Sequence, residues 1–567
     1  MTPTRIFSFS VLVLLAFLSA TSVDAQTAPL KYWVHFTSKT SPPQGFDPTP
    51  FDLSNPSEFL SERALARRAA QGIGLSEDDL PVPPSYLSSL LEVDGVVDVL
   101  VTSKWLNAAT VLVADSAFDP ATLEALPHVL DVRTVAVLPG PREPEGIFHD
   151  RLLDTTAYGA GWLPLAQLEG DHLHDAGFLG AGRWIAVIDA GFEYVDVLPV
   201  FETARSEGRI HEGLDAMHSP TVYDHHRHGT YVLGTMAGNL SDSLIGTAPA
   251  ADYFLYRSED AYSEYVIEED YWIYAAEHAD SIGVDLINTS LGYSLFDDPA
   301  MNHTHEDLDG LTTNISIGMT MAADRGILCV TSAGNSGASA WHKITAPADA
   351  HGILAVGAVN AVGDHAPFSG FGPSADGRVK PDVMALGVAA GFPWPDSTIH
   401  YGNGTSFASP ILCGLAACLW EAHPLATATE VRDAILASSS HFTMPNDSMG
   451  HGIPNFQIAD QLLSSVQVED EQTGTLLNET TIVYPNPSRG SFRVEVVTDS
   501  ERAQWRLVDA LGRTMDSGEV ALTFCGGGEN KKCADIKTAH QSAGRFHLEI
   551  RSLSGDVIGR QSIQLVR

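Results

Sequence analysis

The run Trp184-Ile185-Ala186-Val187-Ile188-Asp189-Ala190-Gly191 is apolar for the length of one strand, ends on a carboxylate and breaks at a glycine. A continuous apolar run of that length suits a strand buried on both faces. Outward from it the pattern repeats. Strand-length apolar runs at 253–256, 284–288, 327–331 and 353–359 alternate with helical periodicity at 228–237, 264–280, 314–325 and 406–421. Such alternation predicts right-handed βαβ units and a parallel sheet with helices on both faces, an α/β fold. Reactive groups in such a sheet gather beyond the carboxyl edge of the strands. Asp189 at a strand end, His228 and Ser406 at helix starts, and Asn335 after the 327–331 strand all fall there.

The blocks around these four residues carry chemistry. They are Val187-Ile188-Asp189-Ala190-Gly191, His228-Gly229-Thr230, Thr331-Ser332-Ala333-Gly334-Asn335-Ser336-Gly337 and Gly404-Thr405-Ser406-Phe407-Ala408-Ser409-Pro410. A serine hydroxyl is a weak nucleophile at neutral pH, so it needs an imidazole to take its proton and a carboxylate to orient that imidazole. An amide on a glycine-rich loop after a strand suits an oxyanion donor. Taken singly, Asp189, His228 and Ser406 also suit strand-end or helix-capping positions, but chance does not put all three in this order with these glycines.

These blocks resemble the subtilases, the subtilisin-like serine endopeptidases, over roughly residues 150–465. Ile287-Asn288-Thr289-Ser290-Leu291-Gly292, Phe368-Ser369-Gly370-Phe371-Gly372-Pro373 and Lys380-Pro381-Asp382-Val383 add to the resemblance. It implies a subtilisin-like fold and peptide hydrolysis through an acyl-enzyme. Ser406 is then the nucleophile, His228 the base, Asp189 the group orienting it, and Asn335 an oxyanion donor. An extended substrate can pair beside Ser290, Leu291 and Gly292, with the side chain before the scissile bond lying between them and Ala333-Gly334. Four positions depart from the family pattern: Ala190 stands where Ser or Thr is usual, Tyr231 where a second histidine is common, Phe407 where Met is commonest, and Leu386 where proline is usual.

With 567 residues, 44% of them hydrophobic, the chain has room for several domains. Residues 1–25 read as a signal peptide: Arg5, an apolar run over 6–18 too short to span a bilayer, then Val23 and Ala25 at cleavage-site spacing. Residues 26–140 read as a small α+β module with strands at 32–36, 96–101, 109–113 and 129–138 and helices at 58–71, 86–93 and 121–126. Its place before the 150–465 peptidase region makes it resemble the family's inhibitor propeptide, with the proline-glycine stretch 139–146 as a processing site. After a polar linker at 466–481, residues 482–567 read as an all-β sandwich. Tyr484-Pro485-Asn486-Pro487, Gly490-Ser491-Phe492 and Gly544-Arg545-Phe546 resemble the sorting domain of type IX secretion. That implies passage through the periplasm to the medium or cell surface, with the secretion machinery as a partner; the alternative is a substrate-binding β module.

A formal charge of −39 argues against nucleic acid and anionic membranes as partners. Protein or peptide substrates and the chain's own propeptide are the expected partners, and no membrane span is expected in the mature form. Cys329, Cys413 and Cys418 read as buried hydrophobes, and Cys525 and Cys533 as a local disulfide. No cofactor is assigned: no stretch matches a calcium loop, Asn239, Ser241 and Asp242 match one weakly, and His303, His305, Glu306, Asp307 and Asp309 sit in a polar insertion. Against the endopeptidase stand a Ser-Glu-Asp carboxyl peptidase, disfavoured by His228 and Asn335, and a non-catalytic surface binding protein that keeps the fold.

Overall fold

The computed structural model describes residues 30–114, 116–136 and 157–472, and further along 482–484, 491–497, 502–508, 514–524, 531–537, 544–551 and 557–565. The expected signal peptide and the 139–146 stretch lie outside the described residues.

The amino-terminal module runs β1 (Lys31–Phe36), α1 (Glu62–Ala70), α2 (Pro84–Leu91), β2 (Val96–Ser103), β3 (Ala108–Val113), α3 (Ala121–Glu124) and β4 (Val129–Ala136). Its antiparallel sheet has the order β2-β3-β1-β4. Side chains alternate across a strand, and β1 uses both faces. Tyr32, Val34 and Phe36 pack inward with Tyr86 and Leu90, while Trp33 joins Tyr265, Ile267 and Tyr271 of the next domain.

The second domain begins with α4 (Trp162–Gln167), α5 (Asp171–Asp175), β5 (Trp184–Asp189), α6 (Glu202–Ser206), β6 (Ile210–Asp215) and α7 (His228–Ala237). The short pair β7 (Asn239–Leu240) and β8 (Leu244–Ile245) follows, then β9 (Asp252–Arg257), α8 (Ile267–Ile282), β10 (Leu286–Thr289), α9 (Asn314–Asp324) and β11 (Leu328–Ser332). The domain closes with β12 (Leu354–Val359), β13 (Val383–Leu386), β14 (Ala390–Pro393), β15 (Ile399–Gly402), α10 (Thr405–Ala422), α11 (Ala428–Ala437) and α12 (Phe456–Gln472). The expected parallel sheet is present, in the order β13-β12-β11-β10-β5-β9-β6. Alternation along β5 explains its two covered faces. Ile185 and Val187 pack with α7 and α10, and Ala186 and Ile188 with α8 and α9. Helix α10 is apolar all round and long enough to cross a membrane, yet it is 89% buried as the central core helix. Edge strands β6 and β13 escape the sequence reading because one is polar with a glycine and the other is four residues long. Helix α12 continues to Gln472, into the stretch read as linker.

The amino-terminal module grips the second domain in two places. Its sheet lies over α8, where the Glu277 carboxylate accepts from Ser103 Oγ, Lys104 N–H and Trp105 N–H. Its α1 reaches instead to the amino edge of the parallel sheet, away from the catalytic blocks. There Arg67 and Arg68 both pair with Asp280, Arg63 pairs with Asp285, and Gln71 donates to the Gly326 carbonyl. Gly283, ending α8 at φ +95°, lets α1 approach: a Cβ there would lie 2.6 Å from the Ala64 amide.

The carboxyl-terminal part has the strands β16 (Ile482–Tyr484), β17 (Ser491–Val497), β18 (Arg502–Val508), β19 (Thr514–Ala521), β20 (Thr523–Phe524), β21 (Lys531–Lys537), β22 (Gly544–Arg551) and β23 (Val557–Leu565). They form two antiparallel sheets, β16-β17-β21-β20 and β19-β18-β22-β23. Trp505, Leu507, Leu548 and Ile550 of one meet Ala534 and Ile536 of the other. Cys533 is disulfide-bonded, and its expected partner Cys525 lies outside the described residues. Cys329, Cys413 and Cys418 are free and buried.

Candidate active site

Strand β5 delivers Asp189 to the carboxyl edge of the sheet, fully buried. Its Oδ1 accepts from the Ala190 amide at 2.7 Å and lies 2.7 Å from His228 Nδ1 on the first turn of α7. The glycines of the two blocks make that approach possible. A Cβ on Gly229 would sit 2.6 Å from the Gly191 carbonyl oxygen, and one on Gly191 2.6 Å from that of His226. Asp189 Oδ2 has no hydrogen-bond partner among the described residues. The neighbouring methyl of Ala190, where the family usually places a hydroxyl, has no donor to offer it.

Burial pulls the His228 imidazole down in pKa, but the Asp189 charge and its hydrogen bond outweigh that and leave it above the ordinary histidine value. His226, stacked 6.5 Å from it, goes the other way: burial first and the neighbouring His228 second push it down to about 4. The second imidazole of the pair therefore stays neutral. Tyr231, one turn beyond His228, stacks on Trp394, packs tilted against Phe392 and takes no part in the carboxylate–imidazole contact. Phe407 stacks on Phe392 at 5.1 Å, so this departure fills core and not the open side of the site.

Ser406 and Asn335 meet across Gly404. A Cβ there would lie 2.8 Å from Ser406 Oγ and 3.7 Å from Asn335 Nδ2, so the missing side chain keeps the space between them open. The amide orientation is set from behind, because Asn335 Oδ1 accepts both the N–H and the Oγ1–H of Thr405 at 2.9 Å. Its NH₂ group is thereby turned toward Ser406. Helix α10 opens at the same point, where helical N–H groups have no partner within their own helix.

Residue 410 is a proline inside α10, so the Ser406 carbonyl lacks the amide donor that a helix supplies four residues on. Ser290 Oγ donates to that carbonyl instead, at 3.0 Å, and Asn288 Nδ2 donates to Ser290 Oγ at 3.2 Å. Asn288 Oδ1 in turn accepts from Ser409 Oγ at 2.8 Å. The Ser290 hydroxyl thus serves the backbone of Ser406. The sequence reading placed Ser290 at the site but missed this role; the signal is Pro410 itself.

The polar insertion does not converge. His303 pairs with Glu269, His305 donates toward the Pro373 carbonyl, Asp307 caps Thr304, and Asp309 accepts from Leu311 and Thr312. Glu259, Glu264 and Glu268 do gather after β9, a grouping that the sequence reading missed. Burial first, and mutual repulsion second, lift Glu259 and Glu268 well above the usual carboxylate range.

Residues 180–452 match the peptidase S8 description "Subtilase family", and residues 31–145 match "Peptidase S8 propeptide domain, Bacteroidota". Subtilisin NAT of Bacillus subtilis subsp. natto is 30% identical over 303 residues, covering 52% of this chain and 70% of the relative. Subtilisin of Bacillus pumilus is 30% identical over 303 residues, with 98% of its length covered. The chain belongs to the subtilase family. An alkaline protease of Shouchella clausii is similar at 27% over 315 residues. This subtilase is a serine-type endopeptidase, and its amino-terminal module is a propeptide domain.

Proposed function

We propose that this subtilase is an exported endopeptidase in which Ser406, His228, Asp189 and Asn335 perform acyl transfer. The observation that carries this reading is the 2.7 Å contact between His228 Nδ1 and buried Asp189. It orients the ring so that Nε2 is the basic atom. Nε2 takes the Ser406 proton as Oγ attacks the carbonyl carbon, and the tetrahedral oxyanion gains hydrogen bonds from Asn335 Nδ2 and the Ser406 amide. His228 then protonates the departing amine. Water, deprotonated by the same imidazole, releases the acyl group and restores Ser406.

The domain boundaries proposed are 26–140 for the propeptide, 150–465 for the peptidase, 466–481 for a linker into which α12 runs on, and 482–567 for a sorting domain. The propeptide is read as an inhibitor removed by a cut near 139–146. Export to the medium or cell surface, through a signal peptide and secretion machinery that handles the β-sandwich, rests on the sequence resemblance alone. Fluorophosphonate labelling tests the catalytic reading: the native enzyme should be modified at Ser406 and lose activity, while Ser406→Ala should take no label and leave the chain unprocessed. A labelled residue other than Ser406, or hydrolysis surviving Ser406→Ala, removes the assignment, and complete inertness of the processed chain would favour a binding protein. Deleting 482–567 should trap active enzyme in the periplasm; its appearance in the medium would leave the substrate-binding module as the better reading.

A further inference from the structure

The propeptide sheet covers carboxylates of two kinds on α8. Asp280 is charge-paired with Arg67 and Arg68. Asp270, on the first turn of the helix, is only 1% exposed and forms no ion pair among the described residues. Its two partners are neutral: Thr110 Oγ1 of β3 donates to Oδ2 at 3.0 Å, and Asn314 Nδ2 of α9 donates to Oδ1 at 3.2 Å. The charged groups around it do not make up the deficit. From β4, Arg133 attracts the carboxylate but lies over the Trp33 ring at 5.5 Å without pairing to it. From β1, Lys31 donates to the Tyr271 hydroxyl, and on α8 itself Glu269 adds a like charge that His303 pairs. Burial therefore prevails over Arg133 and the two donors and lifts the Asp270 carboxyl to about 7.

Glu277 lies under the same sheet, and burial lifts it too, but its contacts favour the ionised form. Backbone N–H groups of Lys104 and Trp105 donate to its two oxygens, and an N–H cannot turn to accept a proton. The Thr110 hydroxyl can. It donates to an ionised Oδ2 and accepts from a protonated one, so Asp270 keeps its hydrogen bond in either state.

We propose, on the reading of the propeptide as inhibitor, that docking of the propeptide draws one proton from solvent onto Asp270, so that its hold on the peptidase is strongest in acid and weakens toward neutral pH. With the sheet removed, that face of α8 opens to water and the carboxyl returns to its ordinary value of about 4. A group raised in the complex favours association fully below its free value, and that contribution is lost as pH climbs through its bound value, here between about 4 and 7. His228 sheds its proton in the same direction and becomes a competent base, so release of the inhibitor and activation of the enzyme run together.

The test compares processed parent enzyme with Asp270→Asn, whose neutral amide accepts from Asn314 and donates to Thr110. Both meet the same propeptide in trans, so titration within the propeptide and at the active site cancels in the ratio of their inhibition constants. Asp270→Asn should be inhibited roughly a hundred- to a thousandfold more tightly than the parent at about pH 8, and that advantage should shrink about tenfold at about pH 6. Uninhibited kcat/KM should match the parent's, because Asp270 touches none of the catalytic residues. The purified Asp270→Asn full chain should also stay latent longer after its propeptide is cut. Equal or weaker inhibition of Asp270→Asn, or a ratio that does not change with pH, overturns the proton uptake alone. Absence of parent inhibition at either pH defeats the inhibitor reading and the proton uptake with it, so the two failures are told apart.

Discussion

Asp280→Ala in the processed enzyme should weaken inhibition by the propeptide far more than it changes catalysis. Asp280 is fully buried in the complex, between Arg67 and Arg68 whose side chains are 4% and 2% exposed, with the Arg68 contact at 2.6 Å. Removing the carboxylate leaves buried guanidinium charge short of its partner, a loss of roughly 3–5 kcal/mol. At about 1.4 kcal/mol per tenfold, the inhibition constant of the propeptide added in trans should rise by roughly two to three and a half orders of magnitude. Arg63→Ala in the propeptide is the internal comparison. Its pair with Asp285 is made by a guanidinium 35% exposed, so solvent screening limits the share of the ion pair to about 1 kcal/mol, or about fivefold, beside what Arg63 gains by donating to the Gly182 and Gly283 carbonyls and lying 4.2 Å over the Trp184 ring. The assay is competitive inhibition of peptide hydrolysis, with kcat/KM of uninhibited enzyme as control, because Asp280 lies near the end of α8 and makes no contact with the catalytic residues. Burial also shields the Asp280 pairs from salt, so the gap between the two variants should persist at high ionic strength. An Asp280→Ala constant within about threefold of the parent's refutes the reasoning.

Asn335→Ala should lower kcat by roughly 10²–10³ with little change in KM, since its NH₂ faces charge that exists only in the transition state; steady-state kinetics on titrated enzyme decides this. The acid limb of kcat/KM should lie above the ordinary histidine value of about 6.5, because Asp189 raises His228 and only the neutral imidazole accepts the serine proton. Activity should therefore rise as pH climbs through that raised value, and a limb below about 6 contradicts it. Ser290→Ala leaves the Ser406 carbonyl without a donor, so denaturant melts of the processed enzyme should report a loss of about 1–3 kcal/mol. A stability unchanged within error means that another group satisfies the carbonyl.

What the sequence revealed and what it hid divide along one physical line. The strand ending at Asp189, the helix starting at His228 and the helix around Ser406 were legible because burial on both faces writes continuous apolar runs, and close backbone approach writes glycines. Helix α7 was expected over 228–237 and spans His228–Ala237. Edge strand β6 mixes polar residues with a glycine, and β13, although its four residues are apolar and buried, was missed for its shortness. Helix α1 was expected, but its destination was not. Nothing local points to the partners of its arginines, because Asp280 and Asp285 lie more than two hundred positions away in the chain.

The site divides in the same way. Local chemistry marked Asp189, His228, Asn335 and Ser406, whereas the relations among them are made by atoms no local window contains: Thr405 turning the Asn335 amide, Ser290 replacing the donor that Pro410 removes, Thr345 standing behind Gly292 and Gly334. Each of these answers a vacancy that the sequence did display. A proline within a helix announces an unpaired carbonyl four residues earlier, and a pair of glycines on facing loops announces space that some third segment must fill. The nucleophile's neighbours are therefore legible as demands before they are legible as residues. That makes Ser290 the position where substitution should separate the backbone support of catalysis from its acid–base chemistry, because it acts through the Ser406 carbonyl.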